Sequence, residues 1–338
     1  MKKNNEIKEN KLMIHFKQYK QPYLIGVGFV LWFVLLLFLA TLGQKPPYNN
    51  IAVSFFGLSI AWYAIFILSG IGFAVTLAHR EAHFLDINVD HFFDSVLFGI
   101  PIGVIGARIY YVIFEPVDSF AEVFNIAGGG LAIHGVIIAV LIFILIYTKI
   151  RKINLFAFLD LIAPGFLIAQ VLGRWGNFFN QEAHGGPIKP ETLKVLKKVM
   201  PNFIIENMNI NGTYFHPTFL YEGLWNFLGF VLILIFRRKR VFKLGDIFGF
   251  YLIWYGLGRG LLIEPFRTDP LLIGETLRVN VLFSLTLFVL GGVAYIVVKN
   301  IIRRDLPYYI DVVRENEEQA LKKLSEKKFK FRKKTNSK

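Results

Sequence analysis

A cluster of polar side chains ends a long apolar run at Gly173–Gly185, which reads GRWGNFFNQEAHG. The polar residues are Arg174, Asn177, Asn180, Gln181 and Glu182. An ionisable side chain in hydrocarbon is costly and marks a functional site by default. The structural alternative is an arginine that snorkels to the interface, with Trp175 as an interfacial anchor. Five polar groups between two glycines favour a cavity that binds a polar headgroup.

A glycine-rich turn precedes a histidine at residues 128–135, which read GGGLAIHG. Three glycines let the backbone bend and approach a ligand closely. A single histidine at the edge of an apolar helix is often a packed residue with its hydrogen bonds satisfied. Beside such a turn, His134 is also a candidate acid, base or headgroup ligand, and the pattern leaves both interpretations open.

A third polar group lies in the stretch YGLGRGLLIEPFRTD. Tyr255 and Arg259 are four residues apart and share one helix face. Glu264 lies five residues after Arg259 and leaves that face unless the helix bulges or ends. Gly260 and Pro265 permit both.

Other ionisable residues in apolar runs have simpler expected roles. Glu222, within HPTFLYE, needs a partner such as an arginine, so we expect it to be structural. Arg108 lies deeper and either joins the other arginines or pairs with Glu222. Asp94 and Asp160 fall near predicted helix ends, where carboxylates cost little. Tyr63, in IAWY, is by itself an ordinary interfacial aromatic residue.

The composition places these residues in a membrane. Hydrophobic residues make up 54% of the chain, charged residues 18%, and the mean hydropathy is +0.49. The net charge of +14 would suggest nucleic acid in a soluble protein. Here the basic residues flank apolar segments, so we expect a lipid bilayer and no nucleic-acid partner. The absence of cysteine excludes disulfides, thiolate metal sites and an enzyme thioester.

The apolar runs predict an all-α polytopic membrane bundle of about eight helices, since about 20 residues cross a bilayer. Strands are not expected, because the runs are continuous rather than alternating. The predicted spans are 22–43, 54–78, 92–114, 131–148, 153–174, 217–236, 247–263 and 280–298.

The distribution of lysine and arginine predicts the orientation, because cytoplasmic loops are enriched in both. It puts both termini in the cytoplasm and the polar clusters in the outer half of the membrane. The predicted organisation is a basic N-terminus (1–21), a membrane anchor (22–43), a core (54–300) with an extracytoplasmic segment (182–216), and a basic tail (301–338). The tail either forms an amphipathic surface helix or stays disordered.

Taken together and in order, the motifs resemble those of the prolipoprotein diacylglyceryl transferases over roughly residues 55–300. The matching pieces are IAWY, GARIYYVIF, GGGLAIHG, DLIAPGFLIAQ, GRWGNFFNQEAHG, HPTFLYE and YGLGR with EPFRTD. The resemblance implies a cell-membrane enzyme that moves a diacylglyceryl group from phosphatidylglycerol to the lipobox cysteine of a prolipoprotein, releasing glycerol phosphate. This is the first step of lipoprotein maturation. The functional positions it implies are Tyr63, His134, Arg174, Asn177, Glu182, Gly185, Tyr255, Arg259 and Glu264.

The chain departs from the family pattern at several points. The usual His-Gly-Gly is His134-Gly135-Val136 here, and Ala61 stands where a charged or ring residue often precedes Trp-Tyr. The family's spacing from arginine to glutamate is one residue shorter than Arg259 to Glu264. The span 22–43 is additional to the common seven-helix core.

The implied reaction suits these residue types. A thiolate must attack the glyceryl carbon bonded to the phosphate oxygen, and a phosphate monoester leaves. Guanidinium groups suit that phosphate, which favours Arg174 and Arg259, with Asn177 as a neutral donor. The thiol needs a base or a positive field; His134 is the first candidate and Tyr255 the second. We expect a monomer with no cofactor and no metal.

The main alternative is a transporter or flippase whose intramembrane arginines bind an anionic headgroup. Transporters of this kind often contain internal repeats and paired broken helices in matching halves. The sequence has no visible repeat of that type, which favours an enzyme.

Overall fold

The computed structural model describes residues 24–114, 123, 130, 132–267, 272–273 and 277–335. The long helices, in chain order, include α1 (24–41), α2 (Trp62–Phe84), α3 (Val89–Phe114), α4 (Ile133–Arg151) and α5 (Leu155–Asn180). There follow α6 (Pro190–Val199), α7 (Asn202–Asn207), α8 (Thr218–Phe236), α9 (Asp246–Leu257), α10 (Val279–Phe283), α11 (Gly291–Ile302) and α12 (Tyr309–Thr335). Within the described ranges, 7 helical segments are long and apolar enough to cross a membrane. The prediction of a polytopic helical membrane protein is therefore confirmed.

The predicted span 247–263 is a composite helix and is not among these seven. It consists of α9, a π-helix at Gly258–Ile263 and a 3-10 turn at Glu264–Phe266. The last span is also composite, because a π-helix at Ser284–Leu290 joins α10 to α11. Sequence periodicity does not reveal these changes of helical pitch.

The expectation that the apolar runs contain no strands is wrong at residues 51–61. Strands β1 (Ile51–Phe55) and β2 (Leu58–Ala61) form an antiparallel hairpin. Its turn uses Phe56 and Gly57 with φ of 48° and 80°, which suits a tight two-residue hairpin turn. The second span therefore begins at Trp62 rather than near residue 54. Short hairpins β3–β4 (Asn209–Ile210, Thr213–Tyr214) and β5–β6 (Leu272–Ile273, Leu277–Arg278) complete the strands described.

The chain divides into two compact units. Unit 1 comprises Met1–Ser69 and Leu172–Leu220, and unit 2 comprises Gly70–Val171 and Tyr221–Lys338. The core of unit 1 is an aromatic cluster in which Phe179 stacks on Phe66 at 5.5 Å and Phe178 meets Phe219 at 4.7 Å. The end of α5 is thus held among rings.

In unit 2, α3 and α4 touch through their backbones. A Cβ added to Gly135 would lie 2.1 Å from the carbonyl oxygen of Gly106. Small residues at such a crossing are the usual means of close helix packing in membranes. The glycine that follows His134 therefore has a packing role.

A buried polar network fixes the start of α9 in unit 2. Asp160 is 1% exposed and accepts hydrogen bonds from the backbone N–H groups of Gly245, at 2.7 Å, and Phe248, at 3.0 Å. The Lys299 Nζ lies 2.8 Å from Asp246 Oδ1. The expectation that the Asp160 carboxylate costs little free energy because it lies near a helix end is wrong. The carboxylate is buried, and hydrogen bonds rather than water stabilise it.

The polar tail begins as part of unit 2. Glu81 is 2% exposed and lies 3.2 Å from Arg237 and 2.8 Å from Arg238. The hydroxyl of Tyr309, the first residue of α12, donates to Glu81 at 2.7 Å. Of the two alternatives for the tail, the structure has a helix, and its first turn is anchored by this cluster.

Candidate active site

The signature segment of unit 1 forms a chain of hydrogen bonds at the end of α5. The half-buried Arg174 donates from Nη1 to Asn177 Oδ1 at 3.4 Å. Asn177 donates from Nδ2 to Glu182 Oε1 at 2.9 Å, and Asn180 donates to the same oxygen at 3.2 Å. Arg174 and Asn177 are three apart on the helix, so they lie on one face. Four of the predicted polar residues are thereby brought together.

Tyr63 lies against the same part of α5. A Cβ added to Gly176 would lie 2.6 Å from Tyr63 Cδ2 and 3.1 Å from Tyr63 Cα. Only glycine allows α2 and α5 to approach so closely here. Tyr63 also interacts electrostatically with Glu182 and Arg174. The structure therefore joins the predicted Tyr63 to the arginine cluster.

A residue that the sequence analysis missed, Asn207, supports this cluster. It is fully buried, and its Oδ1 accepts from the Tyr48 N–H at 3.0 Å while its Nδ2 donates to the Phe178 carbonyl at 2.9 Å. Gln181 Nε2 donates to the Asn207 carbonyl at 2.7 Å. Gln181 itself has φ of 51° and ends the helix. A single asparagine in a polar segment carries no local signal for this role.

Gly185 lies in a short backbone bridge. Its N–H donates to the His216 carbonyl at 2.8 Å, and the His216 N–H donates to the Gly186 carbonyl at 3.0 Å. Burial lowers the pKa of the His216 imidazole and so favours its neutral form. Gly185 is buried, and this bridge closes the segment that joins α5 to α8.

In unit 2, Arg259 lies near a buried carboxylate. Its Nη1 is 3.8 Å from Glu222 Oε2, and Glu222 is 4% exposed. The expected arginine partner of Glu222 is thus present. Arg108 instead donates to the carbonyls of Val123 at 3.0 Å and Gly130 at 3.1 Å. Of the predicted glycine-rich turn, Gly128, Gly129 and Leu131 lie outside the described residues.

The π-helix explains the spacing of Arg259 and Glu264. The Glu264 N–H donates to the Arg259 carbonyl, a five-residue hydrogen bond that α-helices lack. Glu264 is fully buried, and its carboxylate accepts from Asn280 Nδ2 at 3.3 Å. Arg278 donates to the Glu264 carbonyl. The sequence required either a bulge or a helix end between Arg259 and Glu264. The structure has a π-helix at this point, and a 3-10 turn ends the helix directly after it.

The two candidate bases of unit 2 lie at the ends of one series of rings. The exposed His134 is 6.0 Å from Phe283, measured between ring centroids. Phe283 is 6.3 Å from Phe288, which is 5.0 Å from Tyr255. The His134 ring also lies 5.7 Å from Tyr110. Aromatic contacts thus connect the two candidate bases.

An apolar groove runs beside Glu222 and Arg259 in unit 2. Its lining includes residues on either side of Glu222 in the sequence and two residues that follow Arg259, and its surface is almost wholly apolar. The lining residues are Tyr221, Leu224, Trp225, Leu228, Leu262 and Phe266. Such a groove suits a hydrocarbon chain rather than a polar solute.

These features define a polytopic membrane protein whose spanning helices carry networks of arginine, carboxamide and carboxylate groups. Residues 50–297 match the model of the family described as Prolipoprotein diacylglyceryl transferase. The chain belongs to this family. Helix α1 lies outside the matched residues.

Curated relatives agree with this assignment. A protein of Enterococcus faecalis named phosphatidylglycerol–prolipoprotein diacylglyceryl transferase is 46% identical over 74% of this chain and 90% of its own length. Proteins of the same name from Bacillus cytotoxicus and Bacillus cereus are each 41% identical, over 76% and 79% of this chain and 94% and 98% of their own lengths.

Proposed function

We propose that this membrane transferase moves the diacylglyceryl group of phosphatidylglycerol to the thiol of a prolipoprotein lipobox cysteine. The sulfur forms a thioether with the glyceryl carbon, the C–O bond to the phosphate breaks, and glycerol phosphate leaves. The family and the names of the relatives support this reaction. They do not favour a transporter or flippase.

The observation that carries the proposal is the hydrogen-bonded chain from Arg174 through Asn177 to Glu182. Guanidinium and carboxamide groups both donate N–H hydrogen bonds, and a guanidinium adds the positive charge that suits phosphate oxygens. In unit 1, Arg174 and Asn177 bind the phosphate, Glu182 and Tyr63 orient them, and Gly185 holds the segment closed.

In unit 2, Arg259 stabilises negative charge on the lipid headgroup, with Glu222 holding the guanidinium and Glu264 fixing the π-helix. The apolar groove beside Glu222 accepts an acyl chain of the lipid. The proton of the attacking thiol goes to His134 or, if His134 is not the base, to Tyr255. Neither the stabilisation of the headgroup charge nor the transfer of the thiol proton requires a metal or a cofactor.

The protein works in the cell membrane, with its reaction on the outer half and both termini in the cytoplasm. The charge distribution supports this orientation. Helix α1 serves as an additional anchor, and the working form is a monomer that binds no nucleic acid.

The test is a transfer assay with purified protein, phosphatidylglycerol and a synthetic lipobox peptide. Mass spectrometry should show the peptide gaining one diacylglyceryl group, and a peptide with serine for the cysteine should gain nothing. Run in oxygen-labelled water, the reaction should leave the released phosphate unlabelled, because the C–O bond breaks. An unchanged peptide mass, with lipid movement between leaflets, would support a transporter instead.

A further inference from the structure

Helix α6 lies in a segment that connects to a membrane-spanning helix at each end. It belongs to the segment that leaves the end of α5 and returns to the start of α8, and both of those helices span the membrane. The backbone bridge between Gly185 and His216 brings the two ends of the segment together. None of the residues of α6 is buried in the protein. The helix therefore lies on the surface of unit 1, in a segment whose two ends both connect to membrane-spanning helices.

The two halves of α6 differ sharply in chemistry. At 3.6 residues per turn, the apolar side chains fall on one half and the lysines on the other. The apolar residues are Leu193, Val195, Leu196 and Val199, and the lysines are Lys194, Lys197 and Lys198. Val195 and Val199 are 58% and 69% exposed. A short cationic helix with an exposed apolar face is typical of helices that lie in a membrane interface.

One lysine holds the helix in place and leaves the other two available. Lys197 Nζ donates to Glu206 Oε1 at 3.1 Å and to the Tyr214 hydroxyl at 2.9 Å. The Tyr214 hydroxyl in turn donates to Glu206 Oε2 at 2.8 Å. Lys194 and Lys198 are exposed. The helix therefore has a fixed position and presents two ammonium groups.

We propose that α6 is an interfacial helix whose valine face enters the headgroup region of the bilayer while Lys194 and Lys198 bind the phosphates of anionic phospholipids. The charge of the two lysines complements that of anionic headgroups, and the apolar face explains the exposed valines. This role is distinct from the transfer reaction and holds even if that reaction is not the protein's own. Because α6 and Arg174 both belong to unit 1, lipid binding by α6 would concentrate anionic lipid on the unit that carries Arg174.

The absence of cysteine makes this inference directly testable. Val199→Cys places a single label within the apolar face of α6 in the full-length protein, and Glu191→Cys places one at the border of that face, about 80° away round the helix. An environment-sensitive fluorophore is attached, and the protein is reconstituted in phosphatidylcholine vesicles with or without phosphatidylserine, which is not the proposed substrate. We expect blue-shifted emission and quenching by shallow nitroxide lipids at position 199, and both should be weaker at position 191.

The lysines are tested on the same labelled background. Lys194→Gln with Lys198→Gln should remove the dependence of quenching on phosphatidylserine, at roughly fivefold in lipid partitioning per lysine. Arg303→Gln with Arg304→Gln, which changes net charge equally outside α6, should leave it intact.

Three results would overturn the proposal. Equal, weak quenching at positions 191 and 199 would mean that α6 does not enter the interface. Quenching that does not depend on phosphatidylserine would show that the two lysines do not bind anionic phospholipid. A label that responds only when a lipobox peptide is added would mark α6 as a peptide-docking surface instead.

Discussion

The ring of Phe33 meets the ring of Trp175 edge-on, with centroids 5.2 Å apart and planes at 73°. Phe33 belongs to α1, which lies outside the family match, whereas Trp175 directly follows Arg174 in the signature segment. Trp175 also contacts Phe178 and Phe219 edge-on, at 5.6 and 5.2 Å. The additional helix thus packs onto the segment that holds the arginine cluster.

Replacing Phe33 should therefore weaken unit 1. Edge-to-face aromatic pairs contribute about 0.5–1.5 kcal/mol beyond the area they bury, so Phe33→Ala should lower the thermal midpoint and reduce transfer activity. Leu31→Ala is the matched control, because Leu31 lies on the same helix and is 65% exposed. Equal midpoints for the two variants would show that α1 does not support the signature segment.

Gly176→Ala should be far more harmful than Gly173→Ala. The new Cβ at 176 would lie 2.6 Å from the Tyr63 ring, whereas one at 173 has nothing within 4 Å. Overpacking of this kind costs about 1–3 kcal/mol, and α2 must shift from α5. Thermal unfolding in detergent and the transfer assay should both show the difference, and an active, stable Gly176→Ala variant would contradict the contact.

Arg174→Lys should not behave as a conservative change. Lysine keeps the charge but lacks the planar fork that donates to Asn177 and to phosphate oxygens. We expect turnover to fall at least about tenfold, which corresponds to roughly 1.4 kcal/mol of transition-state stabilisation. Arg303→Lys, at an exposed arginine paired with Asp305, should be near wild type. Similar losses in both variants would place the phosphate site elsewhere.

His134→Gln separates the two candidate bases. Glutamine keeps hydrogen bonding but cannot take a proton near neutral pH, so the variant should lose about a hundredfold or more in rate if His134 is the base. Its pH–rate profile should also lose the limb that the imidazole contributes. A profile like that of wild type would indicate that Tyr255 is the base. Tyr255→Phe should then show the loss of rate.

Sequence patterns predicted the spanning helices well, because hydropathy depends only on composition within a window. The pairing of Glu222 with an arginine was also predictable, since a buried carboxylate needs a partner. The hairpin at 51–61 was missed because its strands, as apolar as the helix that follows, were included in one continuous run.

Other features depend on tertiary contacts that a single sequence does not encode locally. Asn207 joins Tyr48 to Phe178 across 159 and 29 residues of chain. Asp160 caps a helix that begins far later in the sequence. The π-helix at Arg259 was foreseen only as one of two possibilities, because Gly260 permits a bulge without requiring one.

The bond between Lys299 and Asp246 bears on how the protein is made. Lys299 follows Asp246 by 53 residues, so a ribosome completes α9 well before its ammonium partner exists. The next residue, Asn300, donates to the same carboxylate oxygen at 3.1 Å. A nascent chain that stalls before these two residues leaves Asp246 without either partner in an otherwise apolar span. Helix α11, which carries Lys299 and Asn300, therefore supplies these side-chain partners of Asp246 only after α9 has been synthesised.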